Sequence, residues 1–353
     1  NIEWLPPSMP ADAETVGTRN IGRTLKLYLF KSLNLDNPEV GYHLMRYIPA
    51  ADLDANPADD DETVHAIAEG ELRIKNEKLQ TGDIEAGKRV AVLVHGFNGE
   101  SRSMASKLLP LLVDNDAPYD YYVSYDYESY KTDLKFEGSD FVSPLLDVGF
   151  GPDDGIHVDV FAHGMGALVV RSAIDYYRGD EVIDRVIMAG PPNSGTVLAN
   201  AKWFIPWVIS SLITIPTGFT AGGIAFTALK RLESDAKAID AMRPKSDYMK
   251  EINRETSEAT VPYYILAGES MFSAEHQSIG QRLLNTFLQK ADPLFDAFFK
   301  GPNDLITDVK SMTTVRKGHF PEELLHTAVV PCNHFGYFTT QESQDQILKW
   351  VKA

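Results

Sequence analysis

The sequence predicts an α/β fold, a mostly parallel central sheet covered by helices on both faces. Three observations carry this expectation. From Arg89 onward, short apolar runs alternate with helical stretches, the pattern of strands that bury both faces beneath helices. The runs RVAVLVH (89–95), YDYYVSY (119–125), IHVDVFA (156–162), DRVIMAG (184–190) and VPYYILAG (261–268) have strand length and are rich in β-branched and aromatic residues. A chain of 353 residues that is 44% hydrophobic can also bury one large core.

In chain order, residues 1–87 read as an N-terminal extension with antiparallel edge strands, TLKLYLF (24–30) and YHLMRYI (42–48). The acidic stretch DLDANPADDDE (52–62) repels itself and lacks an apolar face, so it is expected as a solvated loop. Residues 88–353 form the main domain, with helices expected at Ser101 to Val113, Gly166 to Tyr177, Leu283 to Phe299 and Gln341 to Val351. Trp203 to Leu229 carries no charge and is long enough to cross a bilayer. Pro206, Pro216 and the Gly222-Gly223 pair instead favour two short helices and a bend. The expectation is a lid or cap insertion over 197–245, with Trp203, Phe204 and Trp207 lining a greasy pocket. Ordinary core and membrane insertion are the competing explanations.

A net charge of -17 and a pI near 4.9 exclude a nucleic-acid partner and disfavour an anionic membrane, because an acidic field repels both. A neutral lipid surface stays compatible, and peripheral membrane contact through the lid is one expectation. The only cysteine, Cys332, rules out an internal disulfide and leans towards a reducing, cytoplasmic compartment. No basic segment followed by an apolar one marks a signal peptide after Asn1. Dinucleotide and Walker-type glycine loops and the His-Glu-x-x-His pattern are absent, so no cofactor or metal is expected.

The strongest motif is VDVFAHGMGALVVRSAI (158–174): a strand, a tight turn bracketed by small residues, then a helix. In a hydrolase nucleophile elbow the pattern is small-x-Ser-x-Gly. Here Ala162 and Gly166 are the small flanks, His163 and Met165 the variable positions, and Gly164 stands at the apex. With VLVHGFNG (92–99) before it and AGPPNSGT (189–196) and AMRPKSDYMKEIN (241–253) after it, the chain resembles the α/β-hydrolase superfamily, and its lipase/esterase-like members in particular. The resemblance implies an oxyanion hole made by the amides of Phe97 and Met165, with His95, Gly96 and His163 as pocket walls. It implies an acid and a histidine downstream of the elbow. Asp304 in GPNDLITDVKSM (301–312) is the expected acid, with Asp308 and Glu269 as runners-up, and His334 in VVPCNHFGYF (329–338) is the expected base. A plain structural account competes with each: Asp304 as a turn cap, His334 as a packed core histidine.

Glycine at 164 removes the hydroxyl that attacks the carbonyl. Three explanations stand at this point. Gly164 is an inactivating change in a serine hydrolase of hydrophobic esters or lipids, or the mark of a natural pseudoenzyme that binds a lipid or a protein partner, or a sign that another group is the nucleophile.

Overall fold

The computed structural model describes residues 41–48, 64–67, 72–97, 99, 101–129, 132–151, 155–200, 237–254, 259–269, 299 and 301–353, with side chains for these except 46–48, 64–67 and 72–77. In chain order they form β1 (Gly41–Ile48), β2 (Val64–Ile67), β3 (Leu72–Lys78), β4 (Arg89–Val94), α1 (Ser101–Val113), β5 (Tyr121–Asp126), α2 (Leu134–Asp147), β6 (His157–His163) and α3 (Gly166–Tyr177). There follow β7 (Arg185–Ala189), α4 (Lys237–Ala241), α5 (Asp247–Ile252), β8 (Tyr263–Gly268), α6 (Val309–Thr313), β9 (Leu325–Val330) and α7 (Gln341–Val351).

The strands make one sheet in the order β2-β3-β1-β5-β4-β6-β7-β8-β9. From β5 to β9 all pairings are parallel. At the other end β1 runs antiparallel to both β5 and β3, and β2 antiparallel to β3. Strand β4 shows why the centre of the sheet reads as a continuous apolar run. Val90, Val92 and Val94 belong to one core cluster with α2 and α3, whereas Ala91 and Leu93 face the other, which holds Met104, Leu108 and Leu112 of α1 and Ile347 and Trp350 of α7. All five of these β4 residues are fully buried, so neither face of the strand tolerates a polar residue.

Each of the five apolar runs from residue 89 overlaps a strand of the sheet, and the helices expected over Ser101 to Val113, Gly166 to Tyr177 and Gln341 to Val351 are present with those ends. Run 42–48 lies within β1. Run 24–30, the helix expected from Leu283, the apolar segment from Trp203 to Leu229, and with it Trp203, Phe204 and Trp207, lie outside the described residues. No helix of the described residues is long and apolar enough to cross a membrane.

Strands β2 and β3 and helix α2 were not anticipated. Helix α2 is disguised by Gly138 and Pro144, both helix breakers by propensity. Gly138 is there because α2 and α3 pass very close. A Cβ on it would stand 2.5 Å from Ala173 N and 2.6 Å from the Ser172 carbonyl carbon. Gly138→Ala therefore sets a propensity gain of about 1 kcal/mol against an overpacking cost of about 1–3 kcal/mol. The clash is with backbone, which cannot swing aside, so the cost wins. Chemical denaturation should show the variant destabilised. A neutral or stabilising result would mean that the two helices are free to separate.

Candidate active site

The carboxyl ends of β4, β6, β7 and β8 open at the same edge of the sheet, where a parallel α/β fold leaves a crevice for ligands. The turn between β6 and α3 projects Gly164 at that edge with φ +53°, a left-handed conformation that glycine adopts at no cost. Its amide donates to Ala189 O at 2.9 Å, fixing the apex against β7. The small flanks have a steric cause. A Cβ on Gly166 would lie 2.5 Å from His95 O and 2.7 Å from Val94 O, because the end of β4 crosses directly over the start of α3. One on Gly96 would lie 3.0 Å from His163 O. No side chain caps α3 at Met165, so the positive end of the helix dipole faces the apex. The turn bearing Phe97 is closed by Gly99 N donating to Gly96 O at 3.0 Å.

His334 comes from the loop after β9 and is held at two points by Asp304. Its amide donates to Asp304 O at 2.8 Å, and its Nδ1 lies 2.7 Å from Asp304 Oδ2. Asp304 is fully buried, and its carboxylate is crowded with donors. Oδ1 accepts from the amides of Ile306 (2.9 Å) and Thr307 (2.7 Å), and Oδ2 accepts also from the Tyr337 hydroxyl (2.8 Å). The Tyr337 oxygen in turn accepts from Gly268 N at 2.7 Å. Room for this group is left by two glycines at strand ends. A Cβ on Gly190 would meet the Tyr337 ring at 2.6 Å and Asp304 Oδ2 at 2.9 Å, and one on Gly268 would meet Cys332 O at 2.5 Å. Because a carboxylate only accepts, Nδ1 of His334 carries the proton and Nε2 presents its lone pair. That lone pair is turned to the apex: a Cβ on Gly164 would lie 3.0 Å from Nε2.

The structure thus brings Gly164, Asp304 and His334 together. The alternative acids go elsewhere. Asp308 caps α6, accepting from Ser311 N at 2.8 Å, and Glu269 continues the sheet by donating its amide to Val330 O at 2.9 Å. Cys332, two residues from His334, is buried, and burial pushes its thiol up to about 12, so it offers no thiolate at neutral pH.

The two other histidines at this edge support the loops. His95 is buried and stacked on Tyr127 at 4.4 Å, with Nδ1 2.8 Å from Gly96 O, while the Tyr127 hydroxyl donates to His95 O at 2.9 Å. His163 is packed against the rings of His334, Tyr337 and Phe338, and its Nε2 is 2.9 Å from His334 O. The carbonyl only accepts, so Nε2 carries the proton there. Burial first, and then the neighbouring His334, push the His163 imidazole down to about 3. Unfolded, it would titrate near 6.5. Between these values the unfolded chain binds a proton that the folded chain refuses, so His163 contributes stability above about pH 6.5 and loses it as the pH falls towards 3. His163→Gln, which does not titrate, should flatten the fall of Tm between pH 6.5 and 4. Parallel Tm profiles would show that His163 is free to protonate in the folded state.

Residues outside the predicted set hold Asp304 in place. Arg171, a fully buried cation in α3, donates to Asn193 O (3.0 Å) and Oδ1 (3.1 Å), to Ile252 O (2.9 Å) and to Asn253 Oδ1 (3.1 Å). Asn193 Nδ2 reaches Met312 O at 2.7 Å, Ser194 Oγ reaches Thr314 O at 2.9 Å, and Thr196 Oγ1 bonds Ile306 O. The elbow helix is thereby tied through the segment after β7 to the segment bearing the acid. Among the described residues no group of histidine, cysteine and carboxylate side chains could hold a metal ion.

A family model described as "Domain of unknown function (DUF7379)" matches residues 63–352. No protein of curated function matches the sequence. Among solved structures, the mature form of the Bacillus licheniformis lipase BlEst2 is 16% identical with a TM-score of 0.50, over 77% of this chain and 96% of that one. Lipase 1 from Pelosinus fermentans is 10% identical with a TM-score of 0.52, over 76% of this chain and 98% of that one. At such identities the likeness is one of fold, and the fold is that of the α/β-hydrolases.

Proposed function

The chain belongs to the DUF7379 family, and from that premise we propose that it is built as a carboxylic-ester hydrolase of the lipase/esterase kind for hydrophobic acyl esters or lipids, with Gly164 in the place of the nucleophilic serine. One observation carries the reading: His334 has Nδ1 2.7 Å from the buried Asp304 carboxylate and Nε2 3.0 Å from where a side chain at 164 would begin. That is the arrangement in which an imidazole takes a proton from a nucleophile at the apex and later returns it to the leaving alcohol. Asp304 fixes the tautomer and offsets the imidazolium charge. The amides of Phe97 and Met165 stand as the oxyanion hole beside the positive end of α3.

The substrate class rests on two supports, the lipases among proteins of the same fold and the apolar segment from Trp203 to Leu229. We place a lid within 197–245 and, through it, any contact with a neutral membrane surface. Gly164 itself favours a second reading, a pseudoenzyme that retains the pocket to bind a lipid or a protein partner.

The test is hydrolysis of nitrophenyl esters from acetyl to palmitoyl by this chain and by Gly164→Ser, with fluorophosphonate labelling alongside. Turnover and labelling that appear with serine, graded along the acyl series, support the hydrolase. A folded serine variant that neither turns over nor labels leaves the binding module.

A further inference from the structure

Resting on that reading, we infer that the chain as it stands is a one-step ester hydrolase, in which His334 activates a water molecule held in front of Nε2, in the space that a side chain at 164 would fill. Apart from the imidazole itself, little stands close to the apex. A Cβ on Gly164 would lie 3.0 Å from His334 Nε2 and 3.3 Å from Cε1, with Gly96 Cα next at 3.9 Å. That point is only a bond length from the Gly164 Cα, so a free water stands farther out, in front of Nε2 at the ordinary N···O distance of about 3 Å, in space that a side chain would fill.

The remaining parts suit the same chemistry. Asp304 holds the Nδ1 proton, so Nε2 is an acceptor and a water donates to it. The apex backbone, at φ +53°, is unstrained for glycine and keeps its 2.9 Å bond to Ala189. The oxyanion amides act on charge developing at the carbonyl oxygen whichever nucleophile attacks. His163 stays neutral against the His334 ring, because burial holds its imidazole down to about 3. It therefore adds no positive charge to oppose the imidazolium as it forms.

The step balances without a covalent enzyme intermediate. A lone pair of the water oxygen forms the bond to the acyl carbon, the carbonyl π pair moves onto its oxygen, and the water proton passes to Nε2. As the carbonyl re-forms, the bond to the alcohol oxygen breaks with its electron pair, and that oxygen takes the proton from Nε2. The acid and the alcohol leave, the acid ionises into solvent, and His334 is neutral again.

The experiment compares the intact chain with His334→Ala, Gly164→Ala and Gly164→Ser on nitrophenyl butyrate, with circular dichroism to confirm folding and with burst kinetics and fluorophosphonate labelling. The expected result is a slow steady rate for the intact chain, above the buffer control, without burst or label. Loss of a general base should lower it about a hundredfold or more in His334→Ala, and Gly164→Ala should also lower it, since the methyl takes the water's place. If the intact chain is no faster than His334→Ala while Gly164→Ser bursts and labels, the one-step inference is overturned and the serine-hydrolase reading stands. If Gly164→Ser folds yet is silent and unlabelled, that reading fails. A His334-dependent rate in the intact chain would then still uphold water activation, and a rate equal to that of His334→Ala would overturn both.

Discussion

Gly164→Ser is expected to raise kcat on hydrophobic nitrophenyl esters by up to about a millionfold, the size of the loss when the serine of a comparable triad is removed. The gain follows from geometry already in place. The new hydroxyl would enter beside Nε2 of an imidazole whose tautomer is fixed at 2.7 Å by Asp304, at the end of a helix whose dipole favours the developing oxyanion. The same substitution should weaken the fold. A non-glycine residue at φ +53° carries about 1–3 kcal/mol of strain, and His334 must yield to relieve the 3.0 Å contact. The expected variant is thus more active and less stable, a trade-off common where a strained residue does chemistry. Steady-state kinetics and urea denaturation of the two chains measure both effects. A serine variant as stable as the parent and no more active would mean that the apex relaxes away from His334.

Much of this architecture was legible because burial on both sides of a sheet leaves a simple mark. Val90 to Val94 is one unbroken apolar run, each residue facing one of two cores. The antiparallel strands β2 and β3 have no such mark. LRIKNEK of β3 is as polar as a loop, and a strand of an antiparallel sheet need not be apolar on both faces. Helix α2 was hidden by Gly138, which serves a crossing that only the tertiary structure reveals.

In the site, the elbow could be read because the small residues answer to a local clash between β4 and α3, which any chain making that turn must avoid. Asp304 had two competing readings, turn cap and partner of a histidine, and the geometry gives one oxygen to each. Oδ1 takes the turn amides, and Oδ2 takes His334 and Tyr337. Tyr337 was out of reach, since its partner lies 33 residues away in sequence and no spacing rule singles it out among 15 tyrosines. Arg171 did leave a signal. It is a charged residue inside the apolar helix GALVVRSAIDYY, and such a residue must be satisfied by buried acceptors if the helix is core.

Asp304→Asn, made in the Gly164→Ser background, is expected to cost about 10⁴ in kcat while leaving the fold nearly intact, as a wrong histidine tautomer does in a comparable triad. The orientation of the amide decides this. The Oδ1 position receives two backbone donors, Ile306 N at 2.9 Å and Thr307 N at 2.7 Å, so the asparagine must place its oxygen there. Its NH₂ then occupies the Oδ2 position and points donors at His334 Nδ1 and at Tyr337, both of which donate to the carboxylate. Nδ1 can answer only by accepting, which moves the imidazole proton to Nε2 and removes the lone pair facing the apex. Tyr337 must turn its proton away from the new NH₂, for which the Met312 sulfur at 3.4 Å is the available acceptor. Nitrogen-15 NMR of the imidazole reads the tautomer directly and needs no turnover, so the single Asp304→Asn variant of the intact chain can be examined in the same way. A tautomer switch accompanied by the kinetic loss assigns to Asp304 the role of orienting the base. Full activity with Nδ1 still protonated would mean that His334 takes its orientation from its 2.8 Å amide bond to Asp304 O and its packing on His163, and that the carboxylate serves the turn alone.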